Sequence, residues 1–313
     1  MRRQPHFYLK AYKNEKRDLI KLFVHLTPLK PSSIHIICQK QEAVVRVPAG
    51  MVVESPIELG LEQSDSDSPI SLRVEVGKGS KATVVVRLEG KIERKLFKFI
   101  QTVVADEGAA IRIVEFQNLP TDTAVTISRE TKAKKGALIN HVIIQLGGLK
   151  TDNRLNLMGE GAECILNSNI LLFAKVHQKH HFLLNNNFVH KDGRGEAFVR
   201  SIATGDGVID TRGTINVGGK AKGTESHLHL DSLLLSRTAS ITAIPALEIN
   251  TNDVKVGHGA SVSNLSEENL FYLTSRGLDP DEARRMMVKG FVTQVTDQLS
   301  DLPELRDEVM SLI

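Results

Sequence analysis

Residues 134–163 read KKGALINHVIIQLGGLKTDNRLNLMGEGAE and contain one unit of a pattern that recurs along most of the chain. A glycine-containing turn begins the unit, strand-length runs rich in Val, Ile and Leu follow, and a second such turn ends it. Glycine takes a positive φ without steric cost, so these turns fit tight corners. The unit therefore predicts short strands separated by corners.

Turns of the same kind recur at a spacing of roughly 25 to 35 residues, which is typical of a stacked solenoid. They are GKGSKA from Gly77, DEGAA from Asp106, KKGAL from Lys134, GEGAE from Gly159, DGRGEA from Asp192 and GGKAKG from Gly218. A two-sheet sandwich or barrel is the rival fold, but it would normally show hairpin dipeptides such as Asn-Gly, which are absent. We predict a mainly β protein with a β-helix over residues 34–262.

Composition narrows the class of protein. Of 313 residues, 41% are hydrophobic and only 4% aromatic, with no Trp, which suits stacked strands filled with aliphatic side chains. The net charge of +3 comes from scattered charges, so nucleic-acid binding gains little support. Two cysteines, Cys38 and Cys164, are too few for a disulfide framework, and no apolar run approaches the roughly 18 residues of a membrane span. We expect a soluble, cytoplasmic protein.

The two ends of the chain differ from its middle. Residues 1–33 begin with positive charge and contain prolines, which predicts a short, partly ordered lead-in. Residues 263–313 predict a small α-helical module, with Ser266 as a cap and with Pro280 and Pro303 as first residues of helices. The predicted apolar side of its main helix comprises Ala283, Met286, Met287, Gly290, Val295 and Leu299.

Histidines occur in two groups. The first, in HQKHHFLLNNNFVHKDG, has no Cys or carboxylate at short spacing before Asp192, so we expect solvent-facing or structural imidazoles. In the second, GTESHLHLDSLLLS, strand alternation places four ionisable groups on one face, namely Glu225, His227, His229 and Asp231. That face could bind a metal ion, and a solvated strand face would look the same.

Signatures of catalysis are missing. The sequence has no G-x-S-x-G elbow and no Walker A motif, so we expect neither a catalytic nucleophile nor ATP hydrolysis by this chain. An alternative function is a β-helical protein that binds or acts on a saccharide polymer. Such a protein would need paired carboxylates and aromatic side chains on which sugar rings stack. This chain has no Trp and only three Tyr, so it is poorly equipped for that function.

Residues 231–291 closely resemble the C-terminal signature of the SufB/SufD family of iron–sulfur cluster assembly proteins. The matching elements are a Leu-rich strand, P-x-LEI, DVK-x-x-HGA, LFYL-x-SRG and a helix leading into GF. The resemblance implies a right-handed parallel β-helix and a scaffold that binds an iron–sulfur cluster transiently. It also implies dimerisation through the last strands, with an identical or related chain, and a C-terminal helical module that docks a SufC-like ABC ATPase.

The resemblance also implies site residues. His258, in VGHGA, occupies the position where a family histidine approaches the cluster at the subunit interface. SufB proteins have a cysteine where this chain has Leu230 and another near NRLNLMG, which contains none, so the nearest thiol is Cys164. Thiolate is the usual cluster ligand, so the chain is either a SufD-like partner of another subunit or a short homodimeric variant. In the homodimer the predicted metal ligands are Cys164, Glu225, His227, His229 and His258.

Two further expectations concern Cys38 and the helices. We expect Cys38, far from the signature, to be structural. The predicted ATPase-binding residues are Leu270, Phe271, Tyr272, Arg276, Met286 and Phe291. The other interpretation is that these aromatic side chains hold the helical module against the last β-coil.

Overall fold

The computed structural model describes residues 7–10, 20–26, 34–39, 41–63, 68–89 and 95–313. Much of the predicted lead-in, residues 1–33, therefore lies outside the described residues. Two short stretches of it, Phe7–Lys10 and Ile20–Leu26, are strands. The described chain contains a long β region followed by helices.

The β region consists of two facing sheets. The first sheet contains, in spatial order, β1 (Phe7–Lys10), β2 (Ile20–Leu26), β5 (Ile57–Gln63), β7 (Lys81–Leu88), β9 (Ala110–Gln117), β11 (Leu138–Gln145), β13 (Ile165–Ala174), β15 (Arg194–Ala203), β17 (Thr224–Leu234) and β19 (Val254–Asn264). The second contains β18 (Ser240–Ile249), β16 (Val208–Val217), β14 (Lys179–Phe188), β12 (Lys150–Gly159), β10 (Ala124–Ala133), β8 (Leu96–Ala105), β6 (Ile70–Val76), β4 (Glu42–Val47) and β3 (His35–Gln39).

Successive strands alternate between the two sheets, and strands from β4 onward pair in parallel with the next strand of their own sheet. This connectivity is a parallel β-solenoid of about seven turns, as the sequence predicted. Antiparallel pairing occurs only at the N-terminal end of the described chain, between β1 and β2, β2 and β5, and β3 and β4. Alternate side chains point inward and form one continuous hydrophobic core between the sheets.

The corners confirm part of the predicted role of glycine. Gly79, Gly108 and Gly136 have φ near +64°, a conformation that costs glycine little. In two later turns the same conformation falls on Glu163 (φ 62°) and Asp192 (φ 61°), although glycines lie close by. The turn geometry therefore recurs more regularly than the glycine that first revealed it.

The helices begin where the sequence predicted. They are α1 (Glu267–Ser275), α2 (Pro280–Thr296), a short 3-10 helix (Asp297–Leu299) and α3 (Pro303–Leu312). The Ser266 side chain accepts a hydrogen bond from the Asn269 amide, which caps α1. The predicted apolar side of α2 was partly wrong, because Met286 and Gly290 are exposed whereas Val288 and Val292 are buried.

We call α2, the 3-10 helix and α3 the helical strap. The strap lies against the outer face of the first sheet, where it forms a second apolar cluster. The strands contribute Val85, Val114, Phe116, Val142, Ile144, Leu146, Leu171, Phe173, Ile202 and Leu233, and the strap contributes Val288, Val292, Val295, Leu299, Leu305 and Val309. Outward residues of these strands are apolar here because helices cover them.

Four cations on different coils bind the strap. Arg87 forms an ion pair with Glu308 at 2.6 Å, and Arg112 with Asp301 at 2.7 Å. The Lys175 ammonium donates to the Leu312 carbonyl at 3.0 Å, and Arg200 donates to the Gln294 amide oxygen.

Within the described residues, no helix combines the length and apolar character needed to cross a bilayer.

Candidate functional site

The C-terminal end of the solenoid is open. Strands β18 and β19 are the last of their sheets, and each pairs with one neighbour only within the described chain. Half-buried apolar side chains on these strands pack against the core from one side and have no further coil on the other. They are Ile241, Ala243, Leu247, Val254 and Val256. Ten- and eleven-residue edge strands with such side chains form a surface suited to a further β-layer.

The four ionisable side chains of β17 share one face of the strand, as its alternation predicted. Glu225, His227, His229 and Asp231 alternate with buried Ser226, Leu228 and Leu230, and they point to the outer surface. Asp231 pairs with Arg200 at 2.8 Å, and the Glu225 carboxylate accepts from Lys255 at 2.8 Å. The hydrogen bond from Lys255 lowers the pKa of Glu225.

His258 lies on the other face of the sheet. In the parallel register of β17 and β19 it is opposite Leu228, whose side chain points into the core. Paired residues of neighbouring strands share a face, so the imidazole points to the inner side of the last coil. It is exposed there because no further coil covers it. The structure thus separates His258 from His227 and His229 by the thickness of the sheet.

The structure does not bring Cys164 to this end either. Its side chain is fully buried, and the thiol donates to the Lys134 and Gly161 carbonyls, each at 3.1 Å. Burial raises the pKa of this thiol, which disfavours the thiolate that binds metals. Cys164 immediately precedes β13, three strands from β19, or roughly 14 Å at the usual strand spacing. The Cys38 side chain lies outside the described residues.

Metal-ligand candidates do not converge within one chain. Among the described residues, no three His, Cys, Asp or Glu side chains come together in a way that could hold a metal ion. In the first histidine group, His177 binds Asp206 at 2.8 Å, His181 binds Asp152 at 3.3 Å, and His180 is buried. These contacts match the solvent-facing and structural interpretation of that group.

The solenoid also contains buried polar side chains that the sequence analysis did not predict. Arg129 and Glu115 are both fully buried and form an ion pair in which Nε donates to Oε2 at 2.8 Å. His141 contacts the Thr131 hydroxyl at 2.9 Å, and His180 Nδ1 contacts the Thr151 hydroxyl at 2.8 Å and the Gln145 amide nitrogen at 2.7 Å. Burial is the main cause that lowers the pKa of His141 to about 3 and that of His180 to about 4.

The predicted ATPase-binding residues divide into two groups. Phe271 is 73% exposed, Tyr272 56% and Met286 48%, and the Arg276 guanidinium lies 5.3 Å from the centre of the Tyr272 ring. Helix α1 has no buried residue, and Leu270 on it is half-buried. Phe291 instead packs against the second apolar cluster with Arg200 over its ring at 5.0 Å, so it holds the strap to the solenoid.

Comparison with known proteins agrees with this architecture. Residues 62–291 match the family model for the SufBD core domain of SUF system FeS cluster assembly. The chain is a member of the SufBD family. A SufBD family protein of Staphylococcus saprophyticus is 30% identical over 208 residues, which is 65% of this chain and 44% of the relative. The iron–sulfur cluster assembly protein SufB of Bacillus subtilis is 24% identical over 271 residues, 82% of this chain and 56% of that protein.

The chain spans about half the length of the curated relatives it matches. The family is a component of iron–sulfur cluster assembly by the SUF system. The alternative of a polymer-active solenoid gains nothing from these matches.

Proposed function

We propose that this chain is a scaffold subunit for iron–sulfur cluster assembly that pairs through its open solenoid end with a second SufB/SufD-type chain. The observation that supports it most is the pair of edge strands β18 and β19, which end both sheets on the same coil. A second chain that extends these sheets would satisfy their free backbone groups. It would also cover half-buried side chains such as Leu247 and Val256.

His258 is the proposed cluster-facing residue. Its imidazole is exposed on the inner side of the open end, where a paired chain would meet it. Imidazole can replace thiolate as a ligand to iron in some clusters. Since the Cys164 thiol is buried, we propose that His258 supplies an interface ligand and that sulfur ligands come with the partner or the cargo.

The pairing is tested by a charge placed in the proposed interface. Ala260 is exposed on β19, two residues beyond His258, so Ala260→Glu should convert the dimer to a monomer in native mass spectrometry. Val52, another exposed apolar residue, lies far from this end, and Val52→Glu is the matched control. A dimer that persists in Ala260→Glu contradicts the pairing. The measured masses also distinguish an identical partner from a related one.

Cluster binding is tested by anaerobic reconstitution with iron and sulfide. The visible absorbance of the reconstituted protein should fall in His258→Ala and remain in His190→Ala, because His190 is exposed outside the last coil. Unchanged absorbance in His258→Ala would remove His258 from the site.

The exposed aromatic surface on α1 and α2 is the proposed docking site for an ABC-type ATPase, which would carry out the ATP hydrolysis. Phe271 and Tyr272 on α1 and Met286 on α2 are large apolar side chains exposed on two helices that contact each other, and exposed apolar surface marks protein contact sites. The strap is fixed to the solenoid by its apolar cluster and four cations. A force that the docked ATPase applies to α2 would therefore be transmitted to the coils of the solenoid.

Docking is tested by co-purification with the ATPase. Phe271→Ala combined with Tyr272→Ala should abolish co-purification, while Val176→Ala, at an exposed valine on another coil, should leave it intact. These substitutions are better tests than removal of residues 265–313, which would expose the apolar cluster on the first sheet. Retained binding in the double variant would refute this docking site.

A further inference from the structure

Two imidazoles share the outer face of β17. His227 and His229 are two residues apart on one strand, so their side chains point to the same side. Their ring centroids are 6.5 Å apart, and the ring planes differ by 23°. Two imidazoles so placed can approach one ion after small side-chain rotations.

Both rings are held in place from the neighbouring strand β15. The Nδ1 of His227 lies 3.2 Å from Glu196 Oε1, so Nδ1–H donates to the carboxylate and the Nε2 lone pair stays free. The same carboxylate–histidine contact orients many metal-binding imidazoles. The His229 ring stacks on Phe198 with centroids 4.9 Å apart and planes 8° apart.

The other neighbouring strand, β19, leaves the imidazoles uncovered. Gly257 is opposite His227, and Gly259 is opposite His229. A Cβ at Gly257 would lie 3.0 Å from His227 Cδ2 and 3.5 Å from Nε2, so a side chain there would cover the free nitrogen. Neither glycine has a positive φ, so backbone conformation does not require them. What the two glycines provide is open space over the rings.

We propose that His227 and His229 chelate a divalent transition-metal ion, of the class of Zn²⁺, Ni²⁺ and Cu²⁺, on the outer face of the solenoid. Imidazole nitrogen is a preferred ligand for these ions. Since no third side chain of the described residues converges here, water completes the coordination and the ion is exchangeable. Glu196 is a positioning residue, and His258 on the opposite face takes no part. The site is therefore independent of the scaffold function proposed above.

Isothermal titration calorimetry of the metal-free full chain with Zn²⁺ tests the proposal. His227→Gln and His229→Gln should each remove one binding event per chain. His190→Gln and His258→Gln are the matched controls, and both should retain it. Gly257→Val should also remove it, because the new side chain covers His227 Nε2. Glu196→Gln should weaken binding about tenfold, as loss of an orienting carboxylate does elsewhere.

Three results would overturn the proposal. One is an unchanged number of sites in His227→Gln or His229→Gln. Another is loss of the same binding event in His258→Gln, which would assign the ion to the open end instead. The third is full affinity in Gly257→Val. The zinc site and the scaffold function can fail separately. If zinc binding fails these tests but cluster reconstitution still depends on His258, the zinc site is refuted and the proposed scaffold function is not.

Discussion

Arg112 and Asp301 are joined by two hydrogen bonds, from Nη1 of the guanidinium to both carboxylate oxygens, at 2.8 and 2.7 Å. The other terminal nitrogen of Arg112 donates to the Gln298 carbonyl. Arg112 lies on β9, whereas its partners lie in and just after the 3-10 helix of the strap. One side chain thus fixes the middle of the strap to the middle of the solenoid.

Arg112→Ala should loosen the strap. The change removes a half-buried charged hydrogen-bond group, and we expect a loss of about 1 kcal/mol in the free energy of unfolding. Hydrogen exchange over residues 297–312 should become faster. Arg284→Ala is the control, since among the described residues Arg284 pairs only with exposed Asp281 on its own helix, so little change is expected. Equal exchange rates in the two variants would contradict the role of Arg112.

Phe291 and Phe271 should respond oppositely to truncation. Phe291 packs in the second apolar cluster, so Phe291→Ala should cost about 2 kcal/mol or more of stability. Phe271 is largely exposed, so Phe271→Ala should leave the melting temperature nearly unchanged while weakening ATPase binding. Thermal unfolding and a pull-down assay on both variants measure these effects. A large loss of stability in Phe271→Ala would mean that its ring packs on the protein itself.

Stability should fall as the pH is lowered from 6.5 to 5. The folded state holds His141 and His180 neutral, with pKa values near 3 and 4, while the unfolded chain binds protons near pH 6.5. At pH 5 each buried imidazole therefore lowers the free energy of unfolding by about 2 kcal/mol relative to pH 7. His141→Gln should flatten this dependence in urea titrations. His177→Gln, at an exposed histidine, should leave the pH dependence unchanged. An equal effect of both substitutions would contradict the assignment of this pH dependence to buried His141.

The Cys164 thiol should be unreactive in the folded protein. It is buried, and burial raises its pKa, so little thiolate is available for reaction. In a Cys38→Ser background, labelling by an aromatic disulfide reagent should be slow in buffer and complete in denaturant. Rapid labelling of the native protein would show that the thiol is accessible and restore it as a candidate ligand.

The fold was readable from the sequence because a solenoid repeats its local rules. Each coil shows the same order of turn and aliphatic strand, and the helix signals at Ser266 and Pro280 depend only on neighbouring residues. The buried face of α2 was read less well. Which side of a helix packs depends on the strands beneath it, and Val288 and Val292 meet apolar residues from several coils.

The candidate site was predictable within strands but not between them. Alternation placed Glu225, His227 and His229 on one face of β17, but the position of His258 relative to them depends on the register of β19 against β17. A signal was present, since Val254 and Val256 share the alternation of His258 and read as core residues. Glu196 and Phe198, which hold the two imidazoles, are distant in sequence and gave no local sign of that contact.

The strap also fixes how many coils the solenoid has beneath it. Its contacts run from Arg87 on β7 to Arg200 on β15, and each matches a particular residue of the helices. An extra coil inserted between these strands would shift one end of the strap by about 5 Å relative to its partners. A coil added before β7 would disturb none of these contacts, so the N-terminal end is where family members can change length without rebuilding the helices.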